Sequence, residues 1–497
     1  MLQLFARREP MSKVDTAWLR MERSTNLMMI TGVIGLAGTL SIEALKACLA
    51  DRFLAYRRFR QRAVDDGHQA WWETDPEFDL DWHVRRTGLP RPGGRAELEE
   101  LVSQLASTPL DPSKPRWQFH LVDEYAGGSA IICRLHHCYA DGMAMVQVML
   151  SLTDSDAARS RRRSNASKQA EPPLWERWLA PAREGIEHVA AASEQLVRLL
   201  GEWALHPTDA MSRLSQMALH GAEESTGMLR ELLHSLTLPD DPPTALRQEL
   251  GVRKRVAWCD PIPLDEVKAL GKALGCTVND VLLAAVTGAL HQHLAEAGEV
   301  PASLQIRASV PVNLRPRERA RELGNHFGLV FLDLPIGESN PVARLRRVAQ
   351  SMRELKGSRQ AAVSYGLLNA LGAGPVALQA PALDQLSRKA TAVATNVPGP
   401  VQPLYLAGER IDSMMFWVPQ TGQIGLGVSI LSYAGRVYFG LIADQHCLAE
   451  PQAVVEAFAP ELEKLVLLAL MSEDGEHLDA EAAEVLLSEA SQGSDKG

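Results

Sequence analysis

The sequence has no excess of positive charge and few cysteines for its length, and each of these features argues against a class of function. Lysine and arginine number 51 against 61 aspartates and glutamates, giving a formal net charge of −10 over 497 residues. Nucleic-acid binding requires cationic surfaces that neutralise phosphates, so we expect no nucleic-acid partner. The six cysteines show no Cys-x-x-Cys spacing. They therefore indicate neither a zinc knuckle nor a redox motif, and they fit a reducing cytoplasm best.

Long hydrophobic runs are also missing. The longest apolar stretch, Met28 to Leu40, contains three glycines. It is shorter than the ~20 residues that a membrane-spanning helix needs. The first residues show neither an extended apolar core nor a small-residue cleavage site, so we expect no signal peptide. These features predict a cytoplasmic protein that is soluble or peripheral to a membrane.

The length and the order of the patterns predict two domains, since a domain usually has ~100–200 residues. Strand and helix patterns in residues 1–155 predict an N-terminal α/β domain, and similar patterns predict a second one in residues 251–475. Residues 156–250 begin with a polar linker rich in arginine and serine and continue with helical periodicity, which predicts a helical connector. The acidic residues 476–497 predict a flexible tail.

Two segments around residue 136 predict a strand followed by a helix. Ser129 to Leu135 (SAIICRL) is apolar and β-branched, as in a buried strand, and Gly142 to Leu152 has a helical pattern. His136 to Asp141 would therefore lie on a strand-to-helix turn, where functional side chains commonly lie. Upstream, Ser41 to Arg62 predicts an amphipathic helix with five arginines near its end. They would complement the helix dipole or face anionic membrane lipid.

The predicted turn carries the sequence HHCYADG, which has the pattern HHxxxDG. A neutral imidazole with a pKa of ~6.5 can accept the proton of an alcohol during attack, so His136 and His137 are candidates for a general base. Asp141 can fix the geometry of the turn, and Gly142 leaves room for a ligand or a tight turn. Two other interpretations are a satisfied core histidine and a metal site. Because no third ligand cluster is evident, we expect no metal.

An ordered set of motifs resembles a known family. HHxxxDG is the active-site motif of the chloramphenicol-acetyltransferase-like and condensation-domain superfamily, and the whole set resembles the bacterial wax ester synthase/diacylglycerol acyltransferase family. The matching segments are Pro109-Leu110-Asp111, Pro115-Arg116-Trp117, Val278-Asn279-Asp280-Val281, Pro311-Val312-Asn313-Leu314-Arg315, Gly324-Asn325, Asn396-Val397-Pro398-Gly399-Pro400, and Ser432-Tyr433-Ala434-Gly435 through Asp444. Two places depart from the family pattern. Arg116 replaces a leucine, and Ser24 to Met28 replaces the usual Pro-Met-His.

The resemblance implies an α/β (α+β) fold with two chloramphenicol-acetyltransferase-like domains. Their mixed sheets would surround a central channel. It implies that His137 is the base and that Asp141 is structural, paired with an arginine of the second domain, for which Arg315 is our candidate. Asn279 and Asp280 match a second motif at the opening of a helix predicted from Val278 to Leu294. Helix capping and active-site support are both open for these two residues.

The function implied by the resemblance is transfer of a fatty acyl group from acyl-CoA to a long-chain alcohol or diacylglycerol. Acyl-CoA would be a co-substrate, and no other cofactor is expected. The protein would contact a membrane or lipid droplet peripherally. Alternatives are a condensation-type enzyme acting on a polyketide or carrier-bound acyl group, a serine hydrolase, and a non-catalytic lipid-binding protein. The sequence lacks Gly-x-Ser-x-Gly, which argues against the hydrolase.

Overall fold

The computed structural model of this chain describes residues 8–160, 231–232, 234–298, 300–315 and 323–471. Most of the predicted linker and helical connector, residues 161–230, lies outside the described residues, as does the predicted tail, residues 476–497. The described strands are β1 (Arg8–Pro10), β2 (Met29–Leu36), β3 (Gln61–Asp65), β4 (Ala70–Thr74), β5 (Val84–Thr87), β6 (Trp117–Tyr125), β7 (Gly128–His136), β8 (Thr153–Asp154), β9 (Lys254–Trp258), β10 (Ile262–Pro263), β11 (Ile306–Asn313), β12 (Phe327–Leu334), β13 (Ala392–Pro398), β14 (Tyr405–Leu406), β15 (Glu409–Trp417), β16 (Leu426–Tyr433) and β17 (Arg436–Asp444).

The helices alternate with these strands. They are α1 (Lys13–Arg20), α2 (Ile42–Cys48), α3 (Leu80–His83), α4 (Arg95–Ala106), α5 (Gly142–Ser151), α6 (Ala157–Ser160), α7 (Leu264–Ala273), α8 (Val278–Glu296), α9 (Pro341–Lys356), α10 (Gln360–Ala373), α11 (Val376–Ser387) and α12 (Pro451–Met471). In the described part of the chain, no single helix is long and apolar enough to cross a membrane. The pair α7 and α8, bent by 99°, meets the length and composition criteria only when taken together.

Two mixed seven-stranded sheets organise the molecule, which confirms the predicted fold class. The first has the order β5-β6-β7-β2-β15-β14-β8, and the second runs β10-β17-β16-β13-β11-β12 with β9 also on β17. A small third sheet contains β1, β4 and β3. Each large sheet packs its own buried cluster of aliphatic and aromatic side chains. Burial of these apolar surfaces is the main driving force for folding.

Strands from the second half of the chain complete the first sheet. β15 runs antiparallel to β2, and β14 joins β15 to β8. The sheet of the predicted N-terminal domain, residues 1–155, therefore includes residues 405–417. The division at residue 155 needs this correction because the alternation of apolar residues shows that a segment is a strand, while the sheet it joins depends on distant partners.

The segment predicted as one helix from Ser41 to Arg62 is shorter and irregular. Ser41 does cap it, accepting a hydrogen bond from the Ala44 N–H at 3.1 Å, but α2 ends at Cys48. A π turn and a 3-10 turn follow, and the chain then enters β3. Phe53 and Phe59 stack with ring centroids 3.8 Å apart in the core, which pulls the chain out of helical register.

The arginines near the end of the Ser41 to Arg62 segment do not form one basic face, since several have acidic partners. The ion pairs are Arg52–Asp154 at 2.7 Å, Arg58–Glu9 at 3.4 Å and Arg62–Glu73 at 3.3 Å. The predicted helix-dipole role does not apply, because α2 ends at Cys48, before all of these arginines, while the lipid-facing role stays a prediction.

Helix α4, from the first half of the chain, covers the edge strand β9 of the second sheet. Side chains four residues apart accept hydrogen bonds from alternate backbone N–H groups of β9. The pairs are Glu99 with Trp258 at 3.3 Å, Ser103 with Val256 at 3.0 Å, and Ser107 with Lys254 at 2.8 Å. Helical spacing thus matches the two-residue repeat of the strand. This contact joins the two halves of the molecule and gives hydrogen-bond acceptors to backbone N–H groups at the edge of the sheet.

Candidate active site

His137 follows directly after β7, whose nine residues are all buried. Its backbone N–H donates to the carbonyl oxygen of Met28 at 2.6 Å. The imidazole stacks on the indole of Trp18, with ring centroids 4.2 Å apart, and it forms part of the wall of a large cavity. The predicted strand and the predicted helix α5 are both confirmed, so His137 lies on the turn between them.

The environment of His137 favours an uncharged ring. Its side chain is only 4 % exposed. Burial lowers the pKa of His137 to about 4, although the nearby carboxylate of Asp141 acts in the opposite direction. The ring is therefore neutral at neutral pH, and one of its nitrogens has a lone pair that can accept a proton.

The two carboxylate oxygens of Asp141 accept three hydrogen bonds. Oδ1 accepts a hydrogen bond from the Ala144 N–H at 2.8 Å and so caps helix α5. Oδ2 accepts from Nη2 of Arg315 at 2.6 Å and from the backbone N–H of His326 at 2.9 Å. The predicted pair of Asp141 and Arg315 is thus confirmed, and both side chains are 3 % exposed.

The geometry of this pair differs from the two parallel hydrogen bonds that we expected. Nη2 of Arg315 donates both to Asp141 and, at 2.6 Å, to the backbone carbonyl of Gly324. Gly324 itself pairs with the motif turn: its N–H donates to the Tyr139 carbonyl at 3.2 Å, and its carbonyl accepts from the Asp141 N–H at 3.3 Å. The second half of the chain therefore holds the motif turn through backbone hydrogen bonds as well as through an ion pair.

Asn325 connects helix α1 to the turn that carries the HHxxxDG motif. Its Nδ2 donates to Oδ1 of Asp15 at 2.8 Å and to the carbonyl oxygen of His137 at 2.9 Å. Asp15 is buried, and burial raises the pKa of its carboxyl group. The sequence did not indicate roles for Asp15, Trp18 or Asn325. Gly324-Asn325 was a matching motif, whereas nothing in α1 identified its side chains as neighbours of a site.

His136 points away from the cavity, as the alternation along β7 predicts. Its Nδ1 accepts a hydrogen bond from the Cys138 N–H at 3.1 Å, so the ring proton belongs on Nε2. That nitrogen lies 2.6 Å from Oε2 of Glu22, which also accepts from Nη1 of Arg116 at 2.8 Å. Arg116, which departs from the family pattern, therefore has a carboxylate partner shared with the motif.

The two residues of the second motif have separate positions. Thr277 is the N-cap of α8 and accepts from the Asp280 N–H at 3.2 Å, while Oδ2 of Asp280 accepts from the Thr277 N–H at 2.9 Å. Asp280 is thus part of a capping box. Asn279 instead lines the cavity, and its Oδ1 accepts a hydrogen bond from Nδ2 of Asn396 at 2.7 Å.

The cavity has a volume of about 590 Å³ and lies between the two halves of the molecule. This volume is within the ~300–1,000 Å³ that is typical of small-molecule sites. Most of its wall is apolar and comes from α8, β11, β13, β15 and β16, and polar groups are few. Gly142 also lines it, and a Cβ atom there would meet nothing within 4 Å. Among the described residues, no three His, Cys, Asp or Glu side chains are grouped as metal ligands.

Comparison of the sequence with known protein families agrees with this site geometry. The pattern of the wax ester synthase/diacylglycerol acyltransferase catalytic domain matches residues 11–282, and that of its C-terminal domain matches residues 323–466. This chain belongs to the wax ester synthase/diacylglycerol acyltransferase family. It is therefore an acyltransferase, and the matched region contains His136, His137, Asp141 and Asn279.

Members of the family resemble the chain over most of its length. A probable diacylglycerol O-acyltransferase of Mycobacterium tuberculosis is 30 % identical over 438 residues, which cover 86 % of this chain and 88 % of that protein. The solved wax ester synthase/diacylglycerol acyltransferase of Marinobacter aquaeolei VT8 is 22 % identical, with a TM-score of 0.65, and covers 93 % of this chain and 100 % of its own.

The fold is shared more widely. The first condensation domain of the calcium-dependent antibiotic synthetase superposes with a TM-score of 0.57 at 16 % identity, over 96 % of this chain and 98 % of that chain. At this identity the likeness concerns the fold alone. It agrees with the superfamily that the HHxxxDG motif indicated.

Proposed function

We propose that this family member transfers a fatty acyl group from acyl-CoA to the hydroxyl of a long-chain alcohol or diacylglycerol, with His137 as the general base. The observation that carries the proposal is the buried imidazole of His137 at the wall of an apolar cavity, where burial lowers the pKa of the ring. We propose further that no metal or cofactor other than the acyl-CoA co-substrate takes part. The protein would act in the cytoplasm or at the surface of a membrane or lipid droplet.

The reaction needs no covalent acyl-enzyme. The neutral imidazole takes the proton of the alcohol while the alcohol oxygen forms a bond to the thioester carbonyl carbon. When the tetrahedral intermediate collapses, the carbon–sulfur bond breaks, the ester is released, and the protonated imidazole returns its proton to the CoA sulfur. General base catalysis of this kind typically contributes ~10²–10⁴-fold. Holding both substrates in one cavity supplies the rest through orientation.

The cavity wall suits an acyl chain and a lipid alcohol. Apolar side chains from helix α8 and from both sheets, such as Leu282, Val310 and Phe416, form most of its surface. Burying the methylene groups of a fatty chain against such a wall is favourable by roughly 0.8 kcal/mol for each CH₂. The apolar wall would also exclude water, which competes with the alcohol for the thioester.

Asn279 is our candidate donor to the oxyanion of the intermediate. Asn396 donates to Oδ1 of Asn279, which orients the amide so that its NH₂ group is at the other end. Nδ2 of Asn279 contacts the thioether sulfur of Met352 at 3.9 Å, a weak acceptor. A developing oxyanion would be a much stronger partner for this group.

Acyl transfer can be tested by measuring release of free CoA thiol from palmitoyl-CoA with and without an alcohol. Transfer predicts thiol release that depends on added hexadecanol or diacylglycerol and equals the amount of ester formed. Release without an alcohol would indicate a thioesterase. Binding of palmitoyl-CoA without any release would indicate a non-catalytic lipid-binding protein, and either result would contradict the proposal.

A further inference from the structure

Three cations follow one face of helix α9, whose last turn reaches the cavity. Arg346 and Arg353 are seven residues apart, and Lys356 is three residues further on, so helical spacing places them along one stripe. All three are exposed. We call this set the cationic rim.

One end of the cationic rim, at Lys356, lies at the cavity wall. Met352 and Lys356, from the last turn of α9, both belong to the cavity wall. Because Lys356 is also exposed, the cavity reaches solvent beside it. Met352 contacts Asn279, so this end of α9 packs against the start of α8 on the cavity side.

The other two cations lie near the start of α8. Burial and the nearby Asp280 carboxylate raise the pKa of the Cys276 thiol, while the positive charges of Arg353 and Arg346 act to lower it. Cys276 directly precedes Thr277, the N-cap of α8 and a residue of the cavity wall. Backbone N–H groups at a helix start carry partial positive charge, which adds to that of the rim.

The three rim cations outnumber the one exposed carboxylate between them in the sequence, Glu354, so the local charge is opposite in sign to that of the whole chain. The overall formal charge is −10. Two other arginines of α9 form ion pairs away from the rim, Arg344 with Glu461 and Arg347 with Glu338. The apolar cavity therefore opens at a point where cations of one helix face are gathered.

We propose that the cationic rim binds the phosphate groups of CoA while the acyl chain occupies the apolar cavity. The inference rests on the proposed function and places the nucleotide end of the acyl donor at the cationic rim. Phosphate oxygens form strong charge-assisted hydrogen bonds with arginine and lysine, and they remain solvated at an exposed rim. The flexible pantetheine arm would then extend from the rim towards His137.

The test compares palmitoyl-CoA with a donor that lacks the adenosine and all the phosphates of CoA. Palmitoyl-CoA and palmitoyl-pantetheine are offered with the same alcohol to the wild-type protein, to the double variant Arg353→Glu/Lys356→Glu, and to Arg347→Glu. The last variant reverses a charge on the same helix outside the rim. We expect the double variant to raise KM for palmitoyl-CoA at least about tenfold, the effect of ~1.4 kcal/mol, and to change KM for palmitoyl-pantetheine less than about twofold.

Two further measurements strengthen the comparison. Adding ~0.5 M salt should raise the wild-type KM for palmitoyl-CoA and leave that for palmitoyl-pantetheine nearly unchanged, because salt screens exposed charges. The milder double variant Arg353→Gln/Lys356→Gln should shift KM in the same direction by less. Retained turnover of palmitoyl-pantetheine shows that each variant is folded.

The outcomes separate the two proposals. If the wild-type protein transfers the acyl group but the rim variants show no CoA-specific change in KM, the rim assignment is overturned and the proposed function stands. An equal loss with both donors also overturns it, since the rim would then support the cavity rather than the phosphates. If the wild-type protein transfers from neither donor, the proposed function is contradicted, and the rim assignment is contradicted with it.

Discussion

Nη2 of Arg315 lies 2.6 Å from Oδ2 of Asp141, although the two residues are 174 positions apart in the sequence. The pair joins the HHxxxDG turn of the first half of the chain to the end of β11 in the second half. Because both side chains are buried, neither charge has water as an alternative partner. The position of His137 thus depends on contacts between the two halves.

Breaking this pair should reduce stability and activity together. Removing one member of a buried ion pair leaves the other charge uncompensated, at a cost of ~3–5 kcal/mol in the free energy of unfolding. We expect this cost for Arg315→Met and for Asp141→Asn, with Asn retaining the ability to cap α5. The double variant should lose less than the sum of the two single losses. Denaturant titration and turnover of all three variants measure this, and strictly additive losses would argue against the coupling.

We expect the stability of the protein to depend on the Glu22 carboxylate, because it is the counter-charge of Arg116. Burial would raise the pKa of the Glu22 carboxyl group, yet His136 and Arg116 together lower it, so the carboxylate is ionised and serves both partners. Glu22→Gln leaves the arginine without its counter-charge, which we expect to cost ~1–3 kcal/mol in the free energy of unfolding.

The residue that the family has at position 116 provides the control. Adding Arg116→Leu to Glu22→Gln removes the unpaired cation and should restore part of the lost stability and turnover. No recovery in the double variant would mean that Glu22 acts through His136 alone.

The pH dependence should reflect a histidine that stays neutral well below its ordinary range. With a pKa of about 4, His137 is fully in the base form at neutral pH. We expect kcat/KM to be nearly constant from pH ~8 to ~6 and to fall towards pH 4 as the base is protonated. Circular dichroism at each pH controls for unfolding, and an apparent pKa near 6.5 in the free enzyme would contradict this environment for the ring.

The same shift has a consequence for stability. The unfolded chain binds a proton on His137 near pH ~6.5, whereas the native protein does so only near pH 4. Between these values the unfolded state holds more protons, so lowering the pH through this window destabilises the native protein. In His137→Ala this contribution is absent, and the variant should lose less stability over that window than the wild-type protein does.

Glu99 should change the pH dependence of stability in the direction opposite to that of His137. Burial between α4 and β9 raises the pKa of Glu99 to about 7, against the lowering effects of the Trp258 N–H and Arg95. Its neutral form is favoured in the native protein, so stability is lost as the pH rises from ~4.5 through 7. Glu99→Gln keeps a side-chain oxygen acceptor for the Trp258 N–H. We expect it to become more stable than the wild-type protein as pH rises from 5 to 8, measured by denaturant titration, and equal stability differences at both pH values would contradict the shift.

The sequence predicted the site better than it predicted the connections of the fold. The apolar run of β7 and the helical pattern of α5 are local signals, so His137 could be placed on its turn, and the motif set identified Arg315 as the partner of Asp141. Asp15 and Trp18 could not be identified, because their role comes from α1 packing beside the turn. No local pattern in α1 records that contact.

Two differences between prediction and structure have tertiary causes. The helix predicted from Ser41 stops at Cys48 because Phe53 and Phe59 pack together in the core, which outweighs helical periodicity. β15 joins the first sheet through pairing with β2, whose residues are far away in the sequence. In both cases long-range packing decides between local alternatives of similar free energy.

The most direct test of the central claim is ester formation by His137→Ala. Palmitoyl-CoA is offered with a panel of long-chain alcohols and diacylglycerol to the wild-type protein, His137→Ala and His136→Ala, and the products are identified by mass spectrometry. The account predicts that His137→Ala loses ester formation by ~10²–10⁴-fold while keeping the circular dichroism spectrum of the native protein, and that His136→Ala loses less. A folded His137→Ala protein with more than a few per cent of wild-type turnover would contradict His137 as the base.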